Sequence, residues 1–298
     1  MIEKLSQNLF NFDRTKSEGE LLFFKLFELY ILSTVVLVSW QWALAMPEGP
    51  DIIFPSGIGR WIDISFMLSS SWAVSNAAAI TLLSAAAFFR IQVRWIFFLI
   101  LLLLHLQYVA RFSLGKLPHS VNFLGISLLG FALGFSSFSH QKHRLRFVLG
   151  FILFFLGLAY ISSALSKLGG TGINWSDGYH LWLWIAEKQV DQFSTTRINT
   201  PHMIEQYVQT NYWIATLFLL AGLLTEALGF LLWWRKSRPF IAICLLGLHV
   251  GIGLTMDIYF VEMALLVLLI GFPWSDLLDR LLQEKARPRV YSQIRRLA

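Results

Sequence analysis

The sequence predicts an all-α polytopic membrane protein, a bundle of about eight transmembrane helices accompanied by interfacial amphipathic helices. Hydrophobic residues make up 56% of the 298 residues and charged residues only 14%, which is too little charge for a soluble domain of this length. Several apolar segments also approach or exceed the roughly 20 residues that a helix needs to cross a bilayer. The first partner to expect is therefore the lipid bilayer.

Charge and cysteine content exclude several other classes of protein. The net charge of +6 concerns lipid and topology, because the chain has no basic helix or aromatic platform of a nucleic-acid-binding module. The single cysteine, Cys244, lies in an apolar segment, which excludes an internal disulfide, a CxxC pair and a thiolate metal cluster. We expect neither a nucleic acid partner nor a bound metal.

The transmembrane domain is predicted to cover residues 21–274. It follows a polar segment, residues 1–20, that lacks the apolar region of a signal peptide, and it precedes a basic amphipathic tail, residues 275–298. Polar or Pro/Gly-bearing turns divide the domain into eight apolar segments. These are residues 21–46, 66–89, 95–110, 121–139, 145–166, 212–234, 240–256 and 258–272.

Ionisable side chains inside such segments are costly and are functional candidates by default. Lys25 and Glu28, at helical spacing, are predicted to form an interfacial pair, and His105 to be a hydrogen-bonded interior residue. Four further candidates remain. Lys167 follows directly after the fifth segment, and Glu226, His249 and Glu262 lie in the sixth, seventh and eighth segments.

The rest of the chain is organised around residues 160–184. The fifth segment is predicted to end at Lys167-Leu168, because three glycines follow within five positions. A polar turn from Trp175 to Gly178 then restarts the chain, and residues 167–211 form a partly amphipathic loop region.

Tyr160, Ser163 and Lys167 share one face of the helix at i, i+3 and i+7. The spacing alone leaves two interpretations of Lys167 open. It can anchor the helix end by snorkelling to the interface, or it can be a functional amine.

Five short motifs occur in order along the chain: Pro118-His119-Ser120, Lys167-Leu168 with the W-x-x-G of Trp175 and Gly178, Gly229-Phe230-Leu231-Leu232, His249, and Phe272-Pro273-Trp274. In these motifs and their order the chain resembles, over about residues 20–275, the HTTM family, the membrane domain of vitamin K-dependent gamma-glutamyl carboxylase.

The resemblance implies chemistry on reduced vitamin K or another lipid-soluble quinol or phenol. Lys167 would be the base that deprotonates the quinol before it reacts with oxygen, with His119 and His249 as polar partners in the same cavity. Desolvation favours the neutral amine that such a base requires. Candidate cofactor-binding residues are Tyr160, Ser163, Trp175 and Glu226.

The chain departs from the family at two points. It stops soon after the last apolar segment, without the large lumenal part that presents glutamates, so we expect no peptide carboxylation by this chain alone. The acidic residue of the sixth segment also stands one position off the family pattern, at Glu226, which changes the helix face that it occupies.

Lysine and arginine counts predict the orientation. With eight spans, the side that holds both termini carries 17 of these residues and the opposite loops carry 6, with Lys25 inside a span. By the positive-inside rule both termini are cytoplasmic, in a plasma or inner membrane, and the loop after Lys167 lies on the outer face.

Three function classes remain. The first is a membrane oxidoreductase that acts on a quinol, or at least binds one. The second is a non-catalytic membrane partner on the same fold, such as an immunity or export component, with an unknown membrane or peptide partner. The third, a secondary transporter, is disfavoured because the sequence has no paired Gly/Pro-broken segments in two matching halves.

Overall fold

The computed structural model describes residues 2–12, 17–46, 54–55, 57–91, 93–115, 121–197 and 201–283, and every regular element in these residues is helical. These residues form twelve α-helices and four short 3₁₀ segments. The 3₁₀ segments are Gly57–Arg60, Ser65–Leu68, Gly172–Ser176 and Leu228–Trp233. The α-helices are α1 Ile2–Leu9, α2 Glu18–Ala45, α3 Ser70–Phe88, α4 Val93–Ser113, α5 Asn122–Ser137, α6 Gln141–Thr171, α7 Gly178–Thr196, α8 Met203–Thr210, α9 Tyr212–Ala227, α10 Arg238–Met256, α11 Val261–Gly271 and α12 Trp274–Gln283.

The protein is an integral membrane protein by the length and composition of its helices. Six helical stretches in the described residues are long and apolar enough to cross a bilayer, formed by α2, α3, α4, α6, α9 with the 3₁₀ segment that follows it, and α10. The predicted fourth span corresponds to α5, an apolar helix of 16 residues, which is shorter than a usual crossing. The predicted eighth span corresponds to α11, whereas α12 falls in the segment predicted as the amphipathic tail. The two helices are bent by 57° at their junction and give a seventh crossing if the pair counts as one span.

The chain divides into two compact units. The α2–α5 unit comprises Phe10–Ile152 and Pro273–Ala298, and the α7–α11 unit comprises Met1–Leu9 and Leu153–Phe272. The boundary falls within the long helix α6, between Ile152 and Leu153. The predicted division at residues 20 and 275 stays a prediction.

Small residues let helices approach closely in the α2–α5 unit. A Cβ atom on Gly130 would come within 3.0 Å of the Phe151 ring, and one on Gly134 within 2.5 Å of Val148. Gly130 and Gly134, which stand at G-x-x-x-G spacing, thus form a close contact between α5 and α6. Gln107 on α4, fully buried, donates to the carbonyls of Ser39 on α2 and Ala73 on α3, which ties three helices together.

The C-terminal helix α12 is fastened to the start of α2. Asp279 accepts a hydrogen bond of 2.8 Å from the backbone N–H of Gly19, at the N-terminus of α2, where a carboxylate is favoured. The backbone approach is close, because a Cβ on Gly19 would lie 2.5 Å from the carbonyl oxygen of Ser275. Glycine at position 19 is thus a packing requirement.

Helix α7 packs on α8 and α9 in the α7–α11 unit. Buried apolar side chains from the three helices form one cluster: Leu181, Ile185, Val208, Ala215 and Leu219. Helix α8 begins at Met203, where His202 and Glu205 form a capping box.

Candidate functional site

Two polar side chains of α6 and α10 meet in the α7–α11 unit. The Tyr160 hydroxyl, on a residue only 6% exposed, lies 2.7 Å from Nε2 of His249. The His249 ring also packs against Phe260, with centroids 5.7 Å apart. Nδ1 of His249 is buried and has no hydrogen-bond partner among the residues that the structure describes. This leaves one polar atom next to the Tyr160–His249 pair that a bound group could satisfy.

Lys167 lies two turns beyond Tyr160 on α6. It forms an ion pair with Glu226 on α9. Nζ of Lys167 donates to Oε2 of Glu226, and the Ser163 hydroxyl donates to Oε1 at 3.2 Å. The side chains of Lys167 and Glu226 are 25% and 8% exposed. The predicted common face of Tyr160, Ser163 and Lys167 is thereby confirmed. Despite its shifted position in the sequence, Glu226 points at the Lys167 amine.

The two pairs lie along one face of α6. Ser163 lies one turn beyond Tyr160, and both its hydroxyl and the Lys167 amine contact Glu226. The Tyr160 hydroxyl contacts His249. These groups can hold a proton and receive one from a ligand hydroxyl.

The Trp175 ring covers the Lys167 amine. The chain between these two residues folds differently from the prediction. The Trp175 ring lies 4.6 Å from Nζ of Lys167, in cation–π geometry. Helix α6 continues past Lys167-Leu168 to Thr171, so the predicted helix end is wrong. The reason is that Gly169 and Gly170 have helical neighbours and open space around them, and only Gly172 takes a left-handed φ of 65°.

The glycine of the W-x-x-G motif seats the following helix on α9. The backbone N–H of Gly178 donates to the Thr216 hydroxyl at 3.0 Å, and a Cβ there would lie 2.8 Å from the same hydroxyl oxygen. Asp177 caps α7 by accepting from the backbone N–H of Tyr179 at 2.9 Å. The predicted restart of the chain at this turn is confirmed.

Close packing also fixes α6 against the 3₁₀ segment after α9. A Cβ on Gly229 would come within 2.6 Å of the Cβ of Tyr160, and Nε1 of Trp233 donates to the Phe154 carbonyl at 3.1 Å. The glycine of the Gly229-Phe230-Leu231-Leu232 motif thus brings Tyr160 close to the segment that follows Glu226. Sequence reasoning identified the motif but did not assign this role to Gly229.

The end of α10 is held by a hydrogen bond outside the membrane-spanning segments. Asp257, at a left-handed φ of 52°, accepts from the Gln192 side chain of α7 at 3.1 Å. Asp257 also forms a hydrogen bond with the exposed Tyr259 side chain. These contacts fix the segment that carries Phe260 to the His249 ring.

The other sequence candidates lie elsewhere. His119 is outside the described residues, so the predicted cavity shared by Lys167, His119 and His249 stays a prediction. Lys25 does pair with Glu28, at 3.2 Å, but Glu28 is fully buried and is also held by Arg90, a contact that no spacing in the sequence predicts. His105 is exposed and stacks beside Tyr108, so its predicted interior position is wrong.

Within the part of the chain that the structure describes, no three histidine, cysteine or acidic residues are grouped so as to hold a metal ion. The cluster itself offers a ligand proton donors and acceptors: the Lys167 amine, the Glu226 carboxylate, the Ser163 and Tyr160 hydroxyls and the His249 imidazole. No protein-family model, curated protein or solved structure matches this chain.

Proposed function

We propose that this protein belongs with the HTTM-like membrane proteins and binds and deprotonates a lipid-soluble quinol, such as reduced vitamin K, at the Lys167–Glu226 pair. One observation carries the proposal. The lysine–carboxylate pair, the Ser163 hydroxyl and the Tyr160–His249 pair come together on three apolar helices. Such groups are costly at membrane depth and need a functional reason to be there.

The pair can act as a base although the lysine is an ammonium in the ion pair. In a poorly solvated site an ion pair and its neutral form are closer in energy than in water, so the proton of Lys167 can move to Glu226. The neutral amine then takes the hydroxyl proton of the quinol. The products are a quinolate, the Lys167 ammonium and a protonated Glu226, so protons and charge balance.

The quinolate is the form that reacts with dioxygen. The resemblance to the carboxylase implies the overall reaction of quinol and dioxygen to quinone epoxide and water; a simpler outcome is quinone with hydrogen peroxide. The roles of this chain's residues are to bind the quinol, to remove its proton and to hold the quinolate beside the Lys167 cation.

The substitution Lys167→Arg tests the role of Lys167. Arginine keeps a cation for Glu226 and can still anchor the helix end, but its guanidinium does not give up a proton. Loss of a general base lowers a rate by about 10²-fold or more. We expect epoxide plus quinone formation from reduced vitamin K, measured in nanodiscs above the protein-free rate, to fall by that factor in Lys167→Arg and in Glu226→Gln.

Lys25→Arg is the matched control, because Lys25 also pairs with a buried glutamate in an apolar helix. Its rate should equal that of the wild type. Equal activity of the wild type and Lys167→Arg would identify Lys167 as a helix anchor. An inactive wild type that also binds no quinone would favour the non-catalytic membrane partner, the alternative on the same fold.

We propose further that the chain crosses the membrane eight times with both termini in the cytoplasm. The 17-to-6 division of Lys and Arg supports this orientation. In a Cys244→Ala background, a cysteine at the exposed Val190 should react with an impermeant maleimide added outside, and one at the exposed Ser139 should react only after permeabilisation. The reverse pattern would invert the topology.

A further inference from the structure

We propose that the α2–α5 unit carries a binding site for the headgroup of an anionic phospholipid, formed by Lys25, Arg90 and Arg144. These three cations lie where α2 and α6 begin and α3 and α5 end. The site is separate from the Lys167 cluster and does not depend on the proposed quinol chemistry.

Two arginines lie beside one aromatic ring at this end of the unit. The guanidinium carbons of Arg90 and Arg144 are 4.8 Å and 4.3 Å from the centroid of the Phe135 ring on α5. Arg90 donates to both carboxylate oxygens of Glu28, whereas Arg144 contacts the same Phe135 ring from its own position on α6. The chain thus holds like charges close together, an arrangement that a further anion would relieve.

Lys25 adds a third cation to the group. Its amine donates to Glu28 at 3.2 Å and to the carbonyl of Phe88 at 2.7 Å, and lies 3.7 Å from the centroid of the Phe88 ring. Lys25, Arg90, Arg144 and Glu28 together carry a formal charge of +2. The carboxylate therefore compensates only part of the charge of the cations that it contacts.

The burial of these groups determines which charge the surface presents. Glu28 is 0% exposed, whereas the side chains of Lys25 and Arg90 are each 37% exposed. The anion is hidden beneath the cations, so a molecule that approaches this end of the unit meets positive charge. Arg144 is held by its bonds to the carbonyls of Phe138 and Ser139, at 3.1 to 3.2 Å, which fix the position of its guanidinium.

The location indicates a lipid headgroup as the anion. The three cations lie at the ends of apolar helices, which is the depth at which phospholipid phosphates lie. The same surface has apolar residues for acyl chains nearby, since Leu22, Leu26 and Phe89 are 39%, 50% and 73% exposed. A phosphodiester headgroup with a net negative charge, as in phosphatidylglycerol, fits both the charge and the setting.

Lipid retention by the full-length protein tests the site. Native mass spectrometry from detergent would compare phosphatidylglycerol with phosphatidylcholine of the same acyl chains. We expect preferential retention of phosphatidylglycerol, and about a fivefold weaker preference in Arg144→Gln, because one basic residue at a lipid surface contributes about that factor. Lys188→Gln, in the α7–α11 unit, removes the same charge elsewhere and should leave the preference unchanged.

Equal retention of the two lipids by the wild type, or an equal loss in both variants, would contradict the proposal. Competition with inorganic phosphate distinguishes a lipid headgroup from a free anion as the ligand. If phosphate displaces phosphatidylglycerol at millimolar concentration, the site takes a free anion and not a lipid.

Should Arg144→Gln fail to fold, a phosphatidylglycerol with a photoactivatable headgroup locates the site on the wild type. Crosslinks should fall on peptides that contain Arg90 or Arg144, and crosslinks elsewhere would overturn the assignment.

Discussion

Individual polar contacts in this protein differ in burial, and this difference determines what their loss should cost. Tyr160 and His249 share a hydrogen bond of 2.7 Å on a nearly inaccessible tyrosine, and Nδ1 of the same histidine already lacks a partner among the described residues. Loss of the bond would therefore leave the imidazole with two unsatisfied nitrogens.

Tyr160→Phe should lower the free energy of unfolding by about 1 kcal/mol, the usual cost of one internal hydrogen bond in a membrane protein. Denaturant unfolding in mixed micelles measures it. Tyr207→Phe, at a tyrosine that is 58% exposed, is the matched control and should change little. A loss of equal size in both would show that the Tyr160–His249 bond contributes nothing.

Glu28 should be the most sensitive carboxylate in the α2–α5 unit. Glu28→Gln leaves Lys25 and Arg90 close together without a counter-charge. Because both cations are 37% exposed and remain partly solvated, the cost is that of losing charged hydrogen bonds at a buried site, about 1–3 kcal/mol. We expect a large loss of thermal stability, and Glu18→Gln, at the exposed start of α2, should have little effect. A stable Glu28→Gln protein would mean that the two cations find other partners.

At the scale of single helices, the end of α6 provides a sharp test. Gly170 is helical, and no atom lies within 4 Å of the place that a Cβ would take there, whereas Gly172 has a left-handed φ of 65°. Gly170→Ala should therefore stabilise the protein by up to about 1 kcal/mol, and Gly172→Ala should destabilise it by about 1 kcal/mol. The opposite order of melting temperatures would restore a helix end at Lys167-Leu168.

The contact between α6 and the 3₁₀ segment after α9 gives a second test. Gly229→Ala would force a Cβ against Tyr160 and should cost about 1–3 kcal/mol, because overpacking displaces backbone. Gly247→Ala, on α10 with open space around it, should be neutral or slightly stabilising. Thermal unfolding of the two variants separates a required glycine from a tolerated one, and equal melting temperatures would remove the packing role of Gly229.

The same elements show what the sequence could and could not predict. Apolar length located the helices, and the i, i+3, i+7 spacing placed Ser163 and Lys167 on one face. The pairing of Lys167 with Glu226, 59 residues away, depends on how α6 and α9 pack, which local periodicity does not determine. The end of α6 was misplaced because glycine permits a left-handed turn without requiring one. The exposure of His105 likewise depends on which face of α4 its neighbours cover.

At the scale of the whole chain, the length of the apolar segments alone does not predict the number of membrane crossings. α5 is short, and α11 has only 11 residues and ends at Gly271, where a bend of 57° leads into α12. Pro273 stands at that break, where its missing N–H and the restriction on the preceding residue end a helix.

The bond between Gly19 and Asp279 has a consequence for synthesis of the protein. The α2–α5 unit draws its last described helix, α12, from residues beyond 272, after every residue of the other unit has been made. A nascent chain therefore cannot complete the α2–α5 unit, although most of that unit is translated first, until Asp279 has left the ribosome. Early termination at any codon before that for Asp279 should yield a product that quality-control proteases remove. Pulse-chase labelling would compare the lifetime of a chain that ends at Phe272 with that of the full-length protein.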